Sequence, residues 1–120
     1  MESTRQQKVA RLVQRELADY FIRHGRDFAK GGMVSVTQVR VSPDLSIARV
    51  YLSLMGGGSA EESLQHIEDS KSKIRYSVGQ SLGKSLRIVP DLHFFHDDSA
   101  AYADRIEQLL SKTRKNEEDS

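Results

Sequence analysis

Apolar residues recur at intervals of three and four positions from Arg5 onward, a spacing typical of an amphipathic helix. Ser3 or Thr4 is placed to cap the N-terminus of this helix. The following stretch, "HGRDFAKGG", has three glycines and little periodicity, which predicts that the helix ends near Gly25 and a loop follows. The apolar positions of the predicted helix are Val9, Leu12, Val13, Leu17, Tyr20 and Phe21.

Two strands joined by a turn are predicted in "MVSVTQVRVSPDLSIARVYLSLM", because the segment is rich in β-branched residues and "SPD" favours a turn. In the second strand the apolar positions alternate with polar ones. In the first strand the apolar phase slips by one residue between Val36 and Val39, which predicts a bulge near Gln38. The alternating apolar positions are Ala48, Val50, Leu52 and Leu54.

An interrupted helix is predicted after the hairpin. The triple glycine in "GGGS" lacks the Lys-Ser/Thr pair of a P-loop, so we interpret it as a loop, and Ser59 with Glu62 forms a capping-box pattern. The apolar period fails at "DSKSKIR", which predicts a break or kink with Lys71, Lys73 and Arg75 at the bend. The apolar positions on either side are Leu64, Ile67, Ile74, Val78 and Leu82.

The stretch "LRIVPDLHFFHDDS" is dense in residues that could carry chemistry. Alternation from Leu86 to Phe95 predicts a strand, and Pro90 indicates a sheet edge or a bulge. His93 and His96 are three residues apart and would point to opposite faces of a strand, so they are poorly placed to bind one metal ion. The acids that follow, Asp97 and Asp98 with Ser99, are best explained as the N-cap of a final helix in "AAYADRIEQLL".

The predicted order is α-β-β-α(kinked)-β-α, an α+β layer sandwich in which a three-stranded sheet is packed with helices. We expect one domain over residues 1–110 and a disordered tail over 111–120. This order is that of a type II KH domain, an RNA-binding module. The GXXG loop that usually marks a KH domain is absent, because Gly79 and Gly83 are separated by one residue too many.

Charge is distributed in blocks along the 120-residue chain, although the net charge is only +1. Residues 1–50 carry nine basic and five acidic side chains, and residues 71–87 carry five basic and no acidic ones. Two basic segments that merge in the fold would be typical of a nucleic-acid interface, whereas separate segments would be ordinary solvated faces. Cysteine is absent, the N-terminus has no apolar signal region, and we expect a cytoplasmic protein without a membrane span.

Phosphate contacts are predicted from two groups of basic residues. At about 100° per residue, three of them form one stripe of the first helix opposite its apolar face. The others surround the kinked helix and the last strand. The proposed RNA-binding residues are Lys8, Arg11, Arg15, Lys71, Lys73, Arg75, Lys84 and Arg87. Tyr51, Tyr76 and Phe95 are candidates for base stacking, with packing at the core or sheet edge as the alternative, which is favoured for Phe95.

The chain resembles the ribosome-binding factor A family, bacterial factors that mature the small ribosomal subunit. The resemblance covers about residues 4–110 and rests on "RQQKVARLVQRELADYF", "VSVTQVRVSPDLSIARVYLSL", "IRYSVGQSL" and "LRIVPDLHFFHDDS" in this order. The family has a type II KH-like fold in which an Ala-x-Gly kink replaces the GXXG loop. The matching positions here are Ser70, Lys71 and Ser72, which depart from that pattern.

The resemblance implies a non-enzymatic factor that binds free small (30S) subunits late in their assembly and assists the processing of 16S rRNA, near its 5′-terminal helix region. It further implies importance in the cold and release promoted by a ribosome-assembly GTPase. We expect a monomer with no cofactor, no catalytic residue and no metal site.

Two other classes of function stay open at this point. The same fold could serve as a protein-interaction module without direct RNA contact. A hydrolase would need a convergent base and nucleophile or a metal set, and the sequence has no cysteine, triad signature or credible ligand cluster.

Overall fold

The computed structural model describes residues 2–30, 32–56 and 58–98. Within them, three helices and three strands follow the predicted order: α1 (Thr4–Phe28), β1 (Met33–Val41), β2 (Ile47–Met55), α2 (Ala60–Asp69), α3 (Lys71–Leu82) and β3 (Asp91–His96). The predicted final helix, its N-cap at Ser99, and the tail at 111–120 lie outside the described residues.

The sheet is mixed, and β2 lies at its centre. β1 pairs with β2 antiparallel and β3 pairs with β2 parallel. The inward positions of β2, namely Ala48, Val50 and Leu52, are fully buried beneath the helices, and Phe94 of β3 contacts Phe21 of α1 edge to face. One hydrophobic core therefore lies between one face of the sheet and the helices, which confirms the predicted α+β, KH-like architecture.

Helix α1 is longer than the sequence pattern predicts, and the expected end near Gly25 is wrong. The helix continues to Phe28, which is buried and packs against Tyr20 and Phe21. Gly25 is buried inside the helix and faces Val34 of β1, where an added Cβ would make an ordinary van der Waals contact at 3.5 Å. Gly25 is therefore a residue of the helix interior, and it is not a terminator.

The hairpin confirms the predicted bulge. The β1–β2 register shifts between Val36 and Gln38, so Thr37 is the extra residue. The Thr37 hydroxyl donates to the Asp97 carboxylate at 2.6 Å and to the Tyr51 carbonyl at 3.2 Å. The bulge thereby connects β1 to the segment that follows β3, a role for Asp97 that the sequence pattern does not predict.

The predicted interruption of the second helix is confirmed at one residue. Ser70 has φ −99° and ψ 8°, and it separates α2 from α3, while Lys71 and Ser72 already belong to α3. Its hydroxyl makes no capping hydrogen bond, and its N–H donates to the carbonyls of both His66 and Ile67 at 3.1 Å. The break therefore does not rest on a side-chain bond of this serine.

The third strand is shorter than predicted. Residues 86–90 are irregular, Ile88 is 70% exposed, and the strand begins at Asp91, directly after the buried Pro90. Proline cannot donate a ladder hydrogen bond, which explains why the strand begins only after it. The predicted edge position of this strand is confirmed, because β3 pairs with β2 alone.

Candidate nucleic-acid interface

The N-terminal half of α1 is held firmly at both its cap and its inner face. Ser3 and Gln6 form a reciprocal capping box, and the buried Gln6 amide donates to the Val41 carbonyl of β1 at 2.9 Å. The predicted basic stripe, Lys8, Arg11 and Arg15, lies exposed on the outer side of this helix. The three cations are thus presented from a rigid element, as a preorganised surface requires.

The two basic segments meet at a groove beside the start of α1. The groove has a volume of about 390 Å³, and its lining includes Lys8 of α1 and Arg87 of the segment before β3. Arg5 lines it as well, a residue that the sequence analysis missed although it precedes Lys8 by one helical turn. Residues 79 positions apart thus share one concave surface, which we call the N-terminal groove; the rest of its lining is Ser3, Val9, Pro43, Asp44, Leu45, Ser85, Leu86 and Ile88.

Asp44 is an acidic residue in the wall of this groove, at the hairpin turn. Its carboxylate oxygen accepts hydrogen bonds from the hydroxyls of Ser42 and Ser46, both at 2.7 Å, and from the Ser46 N–H at 3.1 Å. These bonds lower the pKa of Asp44 from 3.8 to about 2, with the Ser42 hydroxyl as the largest cause. The Asp44 carboxylate therefore forms its hydrogen bonds within the turn and not with the cations of the groove.

We expect the Asp44 carboxyl to titrate with a midpoint of about 2 when followed by carbon-detected NMR. Because its pKa is lowered in the folded state, the stabilisation is complete above the ordinary value and is lost as pH falls toward 2. Replacing Ser42 and Ser46 together by alanine should raise the midpoint toward the ordinary 3.8, whereas Ser77→Ala, on α3, should leave it unchanged. A midpoint that the double change does not move would contradict this account of the turn.

The kink carries Lys71, Lys73 and Arg75, and two of these residues have partners within the protein. Lys71 is ion-paired with Glu68 at 3.1 Å. The Arg75 guanidinium donates to the carbonyls of Val89 and Pro90, at 2.9 and 3.3 Å, and so secures the entry to β3. A substitution of Arg75 would disturb the sheet edge in addition to any contact with RNA.

Lys73 lies apart from the N-terminal groove. It lines a cavity of about 230 Å³ between the kink and the C-terminal half of α1, together with His24 and His66. Lys84 is exposed one residue before the groove segment begins. The structure therefore brings Lys8 and Arg87 together, extends that surface along α1 through Arg11 and Arg15, and places Lys73 at the other end of the α1–α3 pair.

The three aromatic candidates are all solvent-accessible. Tyr76 is 72% exposed on α3. Phe95 is 42% exposed on the edge strand β3, so of the two packing alternatives, core or sheet edge, it has the edge position. Phe95 and Tyr51 stack against each other on the sheet face opposite the helices, with ring centroids 5.4 Å apart.

The histidines of the last strand point to opposite faces, as predicted, with His93 across from Arg49 and His96 across from Leu52. His93 lies 3.3 Å from the Asp91 carboxylate. Over residues 2–30, 32–56 and 58–98, no three His, Asp or Glu side chains are grouped as metal ligands would be. In the same part of the chain, no helix combines the length and the apolar character needed to cross a bilayer.

Comparison with known proteins gives a consistent result. The family model described as ribosome-binding factor A matches residues 5–110. The ribosome-binding factor A of Cytophaga hutchinsonii is 41% identical over 112 residues, which is 93% of this chain and 84% of that protein. That of Chlorobium phaeobacteroides is 36% identical over 118 residues, which is 97% of this chain and 99% of that protein.

The fold has a close counterpart among solved structures. The crystal structure of ribosome-binding factor A from Thermus thermophilus superposes with a TM-score of 0.64 at 19% identity, over 76% of this chain and 94% of that one. At this identity the likeness shows the fold alone, and the family assignment rests on the sequence matches. The chain belongs to the ribosome-binding factor A family.

Proposed function

We propose that this protein binds the free small (30S) ribosomal subunit as a non-enzymatic factor and assists its late maturation, including the processing of 16S rRNA. The proposed binding to rRNA is supported by the N-terminal groove, which is lined by Lys8 and Arg87 from two distant segments of the chain. Family membership supports the ribosomal part, because the relatives are named for ribosome binding.

The proposed mechanism is contact with the phosphate backbone. Lys8, Arg11 and Arg15 are exposed along a helix, and the groove adds Arg5 and Arg87, a concentration of cations suited to a curved RNA backbone. Phosphate contacts position a protein without reading sequence, so selectivity would come from rRNA shape and its ribosomal surroundings, near the 5′-terminal helix region. Lys71, Lys73, Arg75 and Lys84 are proposed as further contacts, in which Lys71 would exchange its bond to Glu68 for a phosphate.

Three finer points belong to the same proposal. The protein acts in the cytoplasm as a monomer, its activity matters most in the cold, and a ribosome-assembly GTPase promotes its release. They follow from the family resemblance and are tested separately from binding.

Cosedimentation of the purified protein with free small subunits, large subunits and assembled ribosomes tests this function. We expect selective binding to free small subunits that weakens with salt by roughly 0.7–0.9 log units per phosphate contact for each tenfold rise in concentration. Binding to no particle at low salt, or equal binding to all three, would contradict the proposal.

One observation favours a second candidate, a protein-interaction module. Ile22, Met33 and Met55 are 82%, 62% and 63% exposed and surround a groove of about 560 Å³ between α1 and the β1 edge. An exposed apolar cluster of this kind is typical of a protein contact. Selective binding to small subunits that does not change with salt would favour this candidate over phosphate contacts.

A further inference from the structure

The strand register places two rows of polar and aromatic side chains across the sheet face that is turned away from the helices. Gln38, Tyr51 and Phe95 lie side by side on β1, β2 and β3, and Arg40, Arg49 and His93 form the neighbouring row. We call these six residues the outer sheet face. The rows are two residues apart, about 7 Å along each strand, so a single nucleotide can reach both.

The aromatic row contains a stacked pair of rings. Tyr51 and Phe95 are register partners, their ring centroids are 5.4 Å apart, and their planes differ by 27°. Their chain neighbours Val50 and Phe94 are buried beneath the helices, so the pair does not belong to the core. Phe95 is 42% exposed and therefore offers ring surface to an incoming flat group.

The second row concentrates positive charge. Arg40 and Arg49 lie directly opposite each other on β1 and β2, both are exposed, and neither has an ion-pair partner within the described residues. Like charges opposite each other weaken a sheet, so a bound anion would relieve a repulsion that the fold leaves in place. With its amide oxygen turned toward Arg40, the Gln38 side chain accepts from Arg40 Nε at 2.8 Å and orients this guanidinium.

Two carboxylates lie near the arginines. Glu2 lines a small groove beside Arg40 and Arg49 without an ion pair to either in the described part of the chain, and Asp91 lies 3.3 Å from His93. The row therefore keeps two uncompensated guanidinium groups. The sequence does contain a signal for them, because they occupy the outward positions of the alternating strands, but the strand register is needed to show that they adjoin the aromatic pair.

We propose that the outer sheet face binds single-stranded RNA, with an unpaired base stacked on Phe95 and Tyr51 and its neighbouring phosphates held by Arg40 and Arg49. Only an unpaired base can present its flat face to a ring, whereas a duplex hides it. The positive charge of Arg40 and Arg49 favours an anionic ligand, such as the phosphate groups of RNA. This inference rests on the proposed function, because it adds a second, base-stacking contact to the phosphate contacts of the N-terminal groove.

Fluorescence anisotropy with a fluorescein-labelled hexa-adenylate RNA tests the site, with a duplex of the same length for comparison. We expect Phe95→Leu to weaken binding of the single strand about tenfold, since leucine keeps an apolar side chain but removes the stacking surface. His96→Leu removes an exposed aromatic ring that points to the opposite face of the same strand, and it should leave binding unchanged. Arg40→Gln and Arg49→Gln should each lower the salt slope by about 0.7.

The outcomes separate this inference from the proposed function. Single-strand binding that is weakened about tenfold by Phe95→Leu and unchanged by His96→Leu supports the site. Two results overturn it. The first is no binding of the oligonucleotide by the parent protein at low salt, even if the Phe95→Leu protein fails to bind the small subunit. The second is equal binding of the oligonucleotide by the parent protein and both variants. Cosedimentation of the parent protein decides the proposed function whatever the oligonucleotide result.

Discussion

Replacing Lys8 and Arg87 together by glutamate is expected to lower the affinity for free small subunits about a hundredfold at low salt. The two side chains line the same groove, and each is expected to supply one charge-assisted hydrogen bond to a phosphate. One such bond contributes about 1.5–3 kcal/mol, which is tenfold or more in affinity, and reversal adds repulsion. The log–log salt slope should fall by about two.

A matched control separates the groove from net charge. Arg23→Glu with Lys30→Glu changes the total charge by the same amount, but both residues are exposed outside the groove lining, where they are ion-paired with Asp19 and Glu62. Surface pairs of this kind contribute about 0–1 kcal/mol to stability, so the control protein should fold. Cosedimentation and thermal unfolding of both double variants provide the measurement. Equal losses of affinity in the two would show that the groove has no special part in binding.

The meeting of Lys8 with Arg87 illustrates what a sequence pattern can and cannot predict. The basic stripe of α1 follows from helical geometry, because Lys8, Arg11 and Arg15 are spaced to share one side of any α-helix. The convergence with Arg87 depends on how α1 lies across the sheet and where the chain runs after α3. That placement results from packing contacts between distant residues, and no local period encodes it.

The difference between local sequence pattern and tertiary packing also explains which predicted features of helices and strands were right and which were wrong. The bulge near Gln38 was predictable, because the alternation of strand residues itself changes phase there. The true end of α1 was not, because the glycine that would stop an isolated helix is buried against Val34. Tertiary packing overrides the weak preference of one residue.

The sequence pattern also does not predict the intramolecular partners of the basic residues at the kink. The pattern indicated a basic bend, but only the structure shows that Arg75 donates to backbone carbonyls beside β3 and that Lys71 pairs with Glu68. A charge count treats all cations alike. The geometry instead separates cations that stabilise the fold from those that are exposed and ready to bind, and this directs mutagenesis to the N-terminal groove first.

The substitution Gly32→Ala is expected to destabilise the fold by about 2–4 kcal/mol, which corresponds to a fall in Tm of roughly 10 °C. Gly32 lies in the connection between α1 and β1 and is pressed against the end of β2. A Cβ here would overlap the Met55 carbonyl oxygen and would lie 3.0 Å from both the Ala29 oxygen and the Gly56 carbonyl carbon. All three are backbone atoms, so no side-chain rotation can relieve the overlap.

Gly79→Ala makes the same chemical change where the structure has room. Gly79 lies inside α3, and its added methyl group would meet only the Val89 Cγ1, at an ordinary contact distance of 3.9 Å. Alanine is a better helix former than glycine by about 0.5–1 kcal/mol, so this variant should be as stable as the parent protein or slightly more stable. Denaturant and thermal unfolding should therefore show a large loss of stability for Gly32→Ala and no loss for Gly79→Ala. If Gly32→Ala unfolds like the parent, the α1–β1 connection can move away from β2 freely, and α1 with its basic stripe is less firmly positioned than we infer.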